Sequence, residues 1–146
     1  MLRKLVFLTA LLASTTVNAE NWQLIEDATN GIRLVVDVDS TRLTPYQKEN
    51  GAKSVAVSAQ MAYVGEKESL NFIAGIDGDE CVYKGAGTII NIFPDRSENK
   101  YFWSAQGTKL YDAQGLWLCG YLIKYAEETE KKKPAVKQNS RPKIKV

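Results

Sequence analysis

Histidine is absent from all 146 residues, which removes Ser-His-Asp and Cys-His nucleophile systems and the common zinc-hydrolase ligand sets. The chemistry that remains must rest on carboxylates, a Ser-Lys pair or the two cysteines. Asp77, Asp79 and Glu80 crowd one short segment, and Asp37 and Asp39 fall on one face of an extended run. Either group has the residue types for an acid–base pair acting on a glycoside, and the first has those for a Ca²⁺ site. Against both, Asp and Gly gather in turns for backbone reasons alone, and the cluster lacks the spacing and terminal glutamate of an EF-hand loop. Lys84-Gly85-Ala86-Gly87-Thr88 lacks the Gly-Lys-Ser/Thr ending of a phosphate loop and reads as a glycine turn between strands. No catalytic residue, metal or cofactor is expected.

Cys81 and Cys119 are too far apart for a Cys-x-x-Cys redox pair. In an oxidising compartment a lone pair in a small domain forms one disulfide. Closing a loop of this length contributes roughly 4 kcal/mol by the chain-entropy argument.

That compartment is indicated at the N-terminus. Arg3 and Lys4 precede an apolar core from Leu5 to Leu12, and Val17-Asn18-Ala19 supplies a cleavage site, the order of a secretory signal peptide cut after Ala19. Ser14, Thr15, Thr16 and Asn18 interrupt the run before it reaches the roughly 20 apolar residues of a membrane span. Glu20, not cysteine, follows the cut, so no lipoprotein anchor is expected. The expected location is periplasmic or secreted, with no transmembrane segment in the mature chain.

Processing changes the charge balance. Nineteen basic residues less Arg3 and Lys4 leave 17 against 17 acidic ones. Seven of those bases, Lys131, Lys132, Lys133, Lys137, Arg141, Lys143 and Lys145, lie in residues 131–146, which hold no acid. Ten bases and 17 acids remain in 20–130, so a body near −7 carries a tail near +7. With two prolines, no aromatic and little apolar surface, residues 127–146 read as a disordered basic tail. Its plain role is to solubilise or to lean on its own acidic body. Its sharper role is contact with an anionic surface. Nucleic acid is not an expected partner for an exported chain with an acidic body.

Between leader and tail, residues 20–126 suit one small domain. Lys53 to Val64 alternates, with Val55, Val57, Ala59, Met61 and Tyr63 on one face, and predicts a half-buried strand. Residues 21–26 and 32–38 predict a hairpin across the turn-rich 27–31. Further strands are expected at 69–76, 87–93 and 100–104. Thr44, Pro45, Gln47 and Gly51 stand where a short helical turn would be capped, opened and ended. Ala105-Gln106-Gly107 and Ala113-Gln114-Gly115 form an eight-residue echo, read as two tight turns with glycine at positive φ. Alternation of Leu116 and Leu118 with Trp117, Cys119 and Tyr121 favours a final strand over 116–125. The expected class is α+β, mainly antiparallel sheet with little helix.

Aromatics concentrate late in the chain, nine of the thirteen beyond the leader falling between Tyr83 and Tyr125. Tyr101-Phe102-Trp103 in one strand must present large rings to both faces. Core packing accounts for many of them; an interface accounts for the rest, since Tyr and Trp dominate binding hot spots. Tyr101, Trp103, Tyr111 and Trp117 are the candidate binding residues.

Trp22, Gly31 leading an apolar run into Asp37-Val38-Asp39-Ser40, the alternating strand, and Cys81 after Ile76-Asp77 form a pattern over about residues 22–93. It resembles the surface-adhesin protein E-like group of small exported bacterial proteins. The resemblance implies an antiparallel α+β domain without a catalytic site and, in the adhesin itself, binding to host matrix proteins. The chain departs from the group in lacking a lipoprotein cysteine and in its segment 100–121, and no binding residue is carried over from the group to this chain. The function expected is a non-enzymatic binding protein of the bacterial envelope, adhesin-like, with a protein or envelope-surface partner. An inhibitor or accessory of an envelope enzyme is the alternative, and a carboxylate hydrolase stands third.

Overall fold

The alternation in Lys53–Val64 places that strand between two neighbours and against one packed face. The computed structural model describes residues 21–28 and 30–132. Six strands run in chain order across one antiparallel sheet: β1 (Trp22–Asp27), β2 (Arg33–Gln47), β3 (Lys53–Val64), β4 (Ser69–Asp77), β5 (Ala86–Ile92) and β6 (Glu98–Ser104). A short helix, α1 (Gly78–Lys84), interrupts the meander between β4 and β5, and a long one, α2 (Leu110–Lys132), follows β6. Every strand expected from the sequence up to residue 104 is present, within two residues at each end except for β2, which runs on to Gln47 from an expected end at Val38.

Register defines the two faces. Val57, Ala59 and Met61 of β3 stand beside Ile76, Ala74 and Phe72 of β4, and Ile89 of β5 stands beside Ile76. With Leu34, Val36 and Trp103 these residues form a core from which solvent is excluded. α2 closes it with Leu118 and Cys119, joined to α1 by the Cys81–Cys119 disulfide with its Cα atoms 5.4 Å apart. The expected staple therefore ties the two helices to each other.

β2 is longer than its first partner. β1 pairs only with Arg33 to Asp37, so the second half of β2 is bonded to β3 alone. Pro45 sits there, opposite Val55, where its missing N–H removes nothing from a ladder. The helical turn expected at residues 44–51 is thus replaced by strand as far as Gln47 and by the hairpin turn over 48–51, which Gly51 ends at positive φ: an extended edge accommodates proline as readily as a helix start does. Between the halves, Val38 to Thr41 face Ala59 alone in a wide bulge. Side chains mend the broken ladder, since Ser40 Oγ and Thr41 Oγ1 donate to the carbonyls of Asp37 and Val38 and Ser40 Oγ accepts from Gln60 N–H at 2.8 Å.

The end of the chain departs furthest from expectation. Residues 116–125 are helical, not a strand, within the 23 residues of α2. Its buried residues, Asp112, Gln114, Gly115, Leu118 and Cys119, recur at three and four, the helical period. Only the first Ala-Gln-Gly is a turn, with Gly107 N–H bonded to Ser104 O; the second lies inside α2, and neither glycine takes positive φ. Gly115 is there because Trp103 presses on it. A Cβ at 115 would lie 2.2 Å from the indole. α2 also continues through Glu127 to Lys132, into the segment expected to be unfolded. The leader and residues 133–146 lie outside the described residues.

Candidate functional site

Asp77 ends β4 and begins α1, and its carboxylate serves both. As N-cap it accepts from Asp79 N–H at 3.3 Å, satisfying one of the donors a helix start leaves open. Ser54 Oγ donates to it across the strands at 2.5 Å, and Lys48 Nζ reaches it at 2.9 Å and Asp79 at 3.2 Å. Burial by itself raises the Asp77 carboxyl, but donation from Ser54, Lys48, Tyr46 and the Asp79 N–H outweighs it and holds the group at about 2. Hydrogen bonds to the same two carboxylates raise the Lys48 ammonium. Burial and the neighbouring Asp77 raise the Tyr46 phenol. This is a saturated structural ion pair. Among the described residues no three acidic or sulfur ligands gather as a metal site, and Asp37 stands apart, accepting from Asn21 N–H on β2.

The cluster marks one end of a shallow trough on the second face of the sheet. Its floor is Ala56, Ser58 and Gly75, side chains too small to fill the space above them, and its walls include Tyr46, Ile73, Ile90 and Ile92. The trough encloses about 450 Å³. Phe102, neighbour of Thr88 in the β5–β6 register, adds to the same face and is 71% exposed; Ile73 is 49% exposed and Leu24 57%. No described element lies over them. The opposite face is covered by α2.

The four aromatic candidates do not converge. Trp103 is fully buried and, as a correction, belongs to the core: it points at α2 and lies on Gly115. Tyr101 follows the same alternation and stacks on Tyr111 of α2 with ring centroids 5.0 Å apart. Trp117 stacks on Tyr121 at 5.8 Å, in a shallow pocket with Gln23 and Val38 near the first strands. All four thus bind α2 to the sheet or to itself, as tyrosine and tryptophan do when one ring edge needs cover. The residue omitted from that set, Phe102, was signalled by the same alternation: a strand with rings at 101 and 103 on one face must show 102 on the other.

Beneath α2, Tyr63, Asn91 and Gln114 form a buried polar group. Gln114 Nε2 donates to the Tyr63 hydroxyl, and burial raises that phenol although Gln114 and Asn91 pull it back. Asp112 secures the start of the helix, accepting from Ser104 N–H at 2.8 Å and Lys109 N–H at 2.9 Å. Of the basic tail residues, Lys131 and Lys132 are exposed on the last turn of α2; Lys133, Lys137, Arg141, Lys143 and Lys145 lie outside the described residues.

The disulfide and the lack, among the described residues, of a helix long and apolar enough to cross a membrane are compatible with a periplasmic or extracellular location. No protein-family model, curated protein or solved structure matches the chain.

Proposed function

We propose that this protein is an exported, non-enzymatic binding protein of the envelope, adhesin-like in type, that receives a macromolecular partner on the uncovered face of its sheet. The observation that carries the reading is the exposure of Ile73, Ile92 and Phe102 around a trough floored by Ala56, Ser58 and Gly75. Contiguous exposed apolar surface of this kind marks interaction sites. The small floor residues leave room for a partner's side chain to enter, the arrangement found at binding hot spots. The absence of histidine and the full engagement of Asp77 with Lys48 and Ser54 support a binding role over hydrolysis.

A photo-crosslinking residue placed at position 102, and for control at exposed Lys67 in the β3–β4 turn, tests the reading in the native envelope. One macromolecule captured from 102 and not from 67, and lost on Ile73→Asp, is the expected result. Capture that is equal from both positions, or that survives Ile73→Asp, refutes the sheet face as the binding surface.

A further inference from the structure

The sheet is open, and its two edges are finished differently. On the β1 side the register slips between Leu24 and Glu26, and beyond the end of β1 Pro45 occupies the bare edge of β2. A bulge and a proline both keep an edge from pairing with another chain. β6, at the opposite edge, has neither.

The bonding pattern shows what is left open on β6. In the β5–β6 hairpin Phe93 N–H donates to Ser97 O, and Ala105 N–H to Gly85 O. Pairs along an antiparallel ladder alternate between bonded and non-bonded, so in the register between these two ends residues 99, 101 and 103 bond to β5. Glu98, Lys100, Phe102 and Ser104 turn their N–H and C=O groups outward. Ser104 is satisfied from within the chain, its N–H by the Asp112 carboxylate and its carbonyl by Gly107 N–H. The outward groups of Glu98, Lys100 and Phe102 have no such partner among the described residues, and residues 98 to 102 are all exposed. α2 leaves this edge clear. It starts at the Ser104 end, where Gly115 meets Trp103, and leads away to the first strands, where Tyr121 and Tyr125 share a pocket with Gln23 and Val38.

The side chains of the edge complement themselves. Glu98 and Lys100 project to the same face, and neither has an ion-pair partner among the described residues. Two copies of β6 laid antiparallel about Asn99 set Glu98 of each opposite Lys100 of the other, at positions where the outward backbone groups also meet. Centring the pair on Glu98 or on Lys100 instead sets like charges face to face.

We propose that β6 pairs with β6 of a second copy, antiparallel and centred on Asn99, so that two six-stranded sheets join edge to edge. The contact is isologous and closes at two copies. Both α2 helices then lie on one side and both troughs on the other, so the pairing does not rest on the binding role proposed above. A seam over residues 98–102 is small beside the roughly 1,200–2,000 Å² of a stable interface, and a dissociation constant on the order of 100 µM is expected.

Sedimentation equilibrium of the purified protein up to about 1 mM reads the association. Glu98→Lys and Lys100→Glu change exposed side chains, and each sets like charges opposite in both pairs. Either variant alone should associate roughly tenfold more weakly than the parent, or worse. Mixed in equal amounts, the two variants regain both opposite-charge pairs, and their heterodimer should form with an affinity within about threefold of the parent's. A second measurement leaves the charges untouched. Mild oxidation of Asn99→Cys should link two copies, because the Cα atoms of a non-bonded pair lie about 4.5 Å apart, within disulfide reach, whereas Lys67→Cys, exposed in the β3–β4 turn, should not. A parent that stays monomeric at about 1 mM, association indifferent to either charge reversal, or a mixture no stronger than its separate variants would overturn the proposal. So would assemblies larger than two copies, or equal trapping from positions 99 and 67.

Discussion

Asp77 shows how one side chain links local structure to stability. The same carboxylate caps α1, takes the Ser54 hydroxyl and meets Lys48, so its proton is released at about 2 in the folded state against 3.8 ordinarily. A group whose folded value is depressed stabilises the protein above its unfolded value and ceases to do so as pH falls through the folded one. Asp77 should thus contribute about 2 kcal/mol at neutral pH, lost between about pH 4 and pH 2. Urea unfolding of Asp77→Asn should show that loss at pH 7 and a flatter profile across the acid window; equal slopes in variant and parent would place the acid sensitivity elsewhere. Gly115 makes the complementary point. Alanine is the better helix former by about 1 kcal/mol, yet a methyl group there meets the Trp103 indole at 2.2 Å, and forced overpacking costs about 1–3 kcal/mol. Gly115→Ala should therefore lower the thermal midpoint, and a raised midpoint would mean that Trp103 can move aside.

Elements were legible in the sequence where packing imposes a single period. β3 shows its alternation because one of its faces is core from Val57 to Met61, and Cys81 with Cys119 announced the staple by number and compartment alone. α2 was not legible as a helix because two apolar stripes overlap on it. One, Gly115, Leu118, Cys119 and Leu122, faces the sheet; the other, Trp117, Tyr121 and Tyr125, lies along its flank, and the two interleave over 116–121 into a false period of two. Pro45 misled for a different reason, since nothing local reveals that β1 stops short of it. The candidate site was half legible: the rings at 101–103 had to divide between faces, but which face is core depends on where α2 settles, and that is set by contacts distant in sequence. The disulfide that fixes α2 against α1 gives a test at this scale. Replacing Cys81 and Cys119 together by serine should cost about 4 kcal/mol through the entropy of the freed loop, read from urea midpoints. A loss below about 1 kcal/mol would show that Leu118 and Trp103 hold α2 in place without help.

At the scale of the molecule the two faces of the sheet have opposite duties, and this separates stability from binding. Ile89 lies under α2 with no exposure, whereas Ile73 and Phe102 are 49% and 71% exposed on the other side; the strands that carry them, β4 and β6, flank the strand of Ile89. Burial is what turns an apolar side chain into folding energy, so the triple change Ile73→Ser, Ile92→Ser and Phe102→Ser should cost about 2 kcal/mol or less in all, through strand propensity and the covered part of the two isoleucines. Ile89→Ser should cost about 3 kcal/mol or more, as large-to-small core substitutions do, with a buried hydroxyl adding to the loss. Urea midpoints of the two variants give the comparison, and binding of a hydrophobic dye by the native protein should fall in the triple variant only. If the triple variant loses as much stability as Ile89→Ser, that face is already covered in the folded molecule, and a partner would have to displace what covers it.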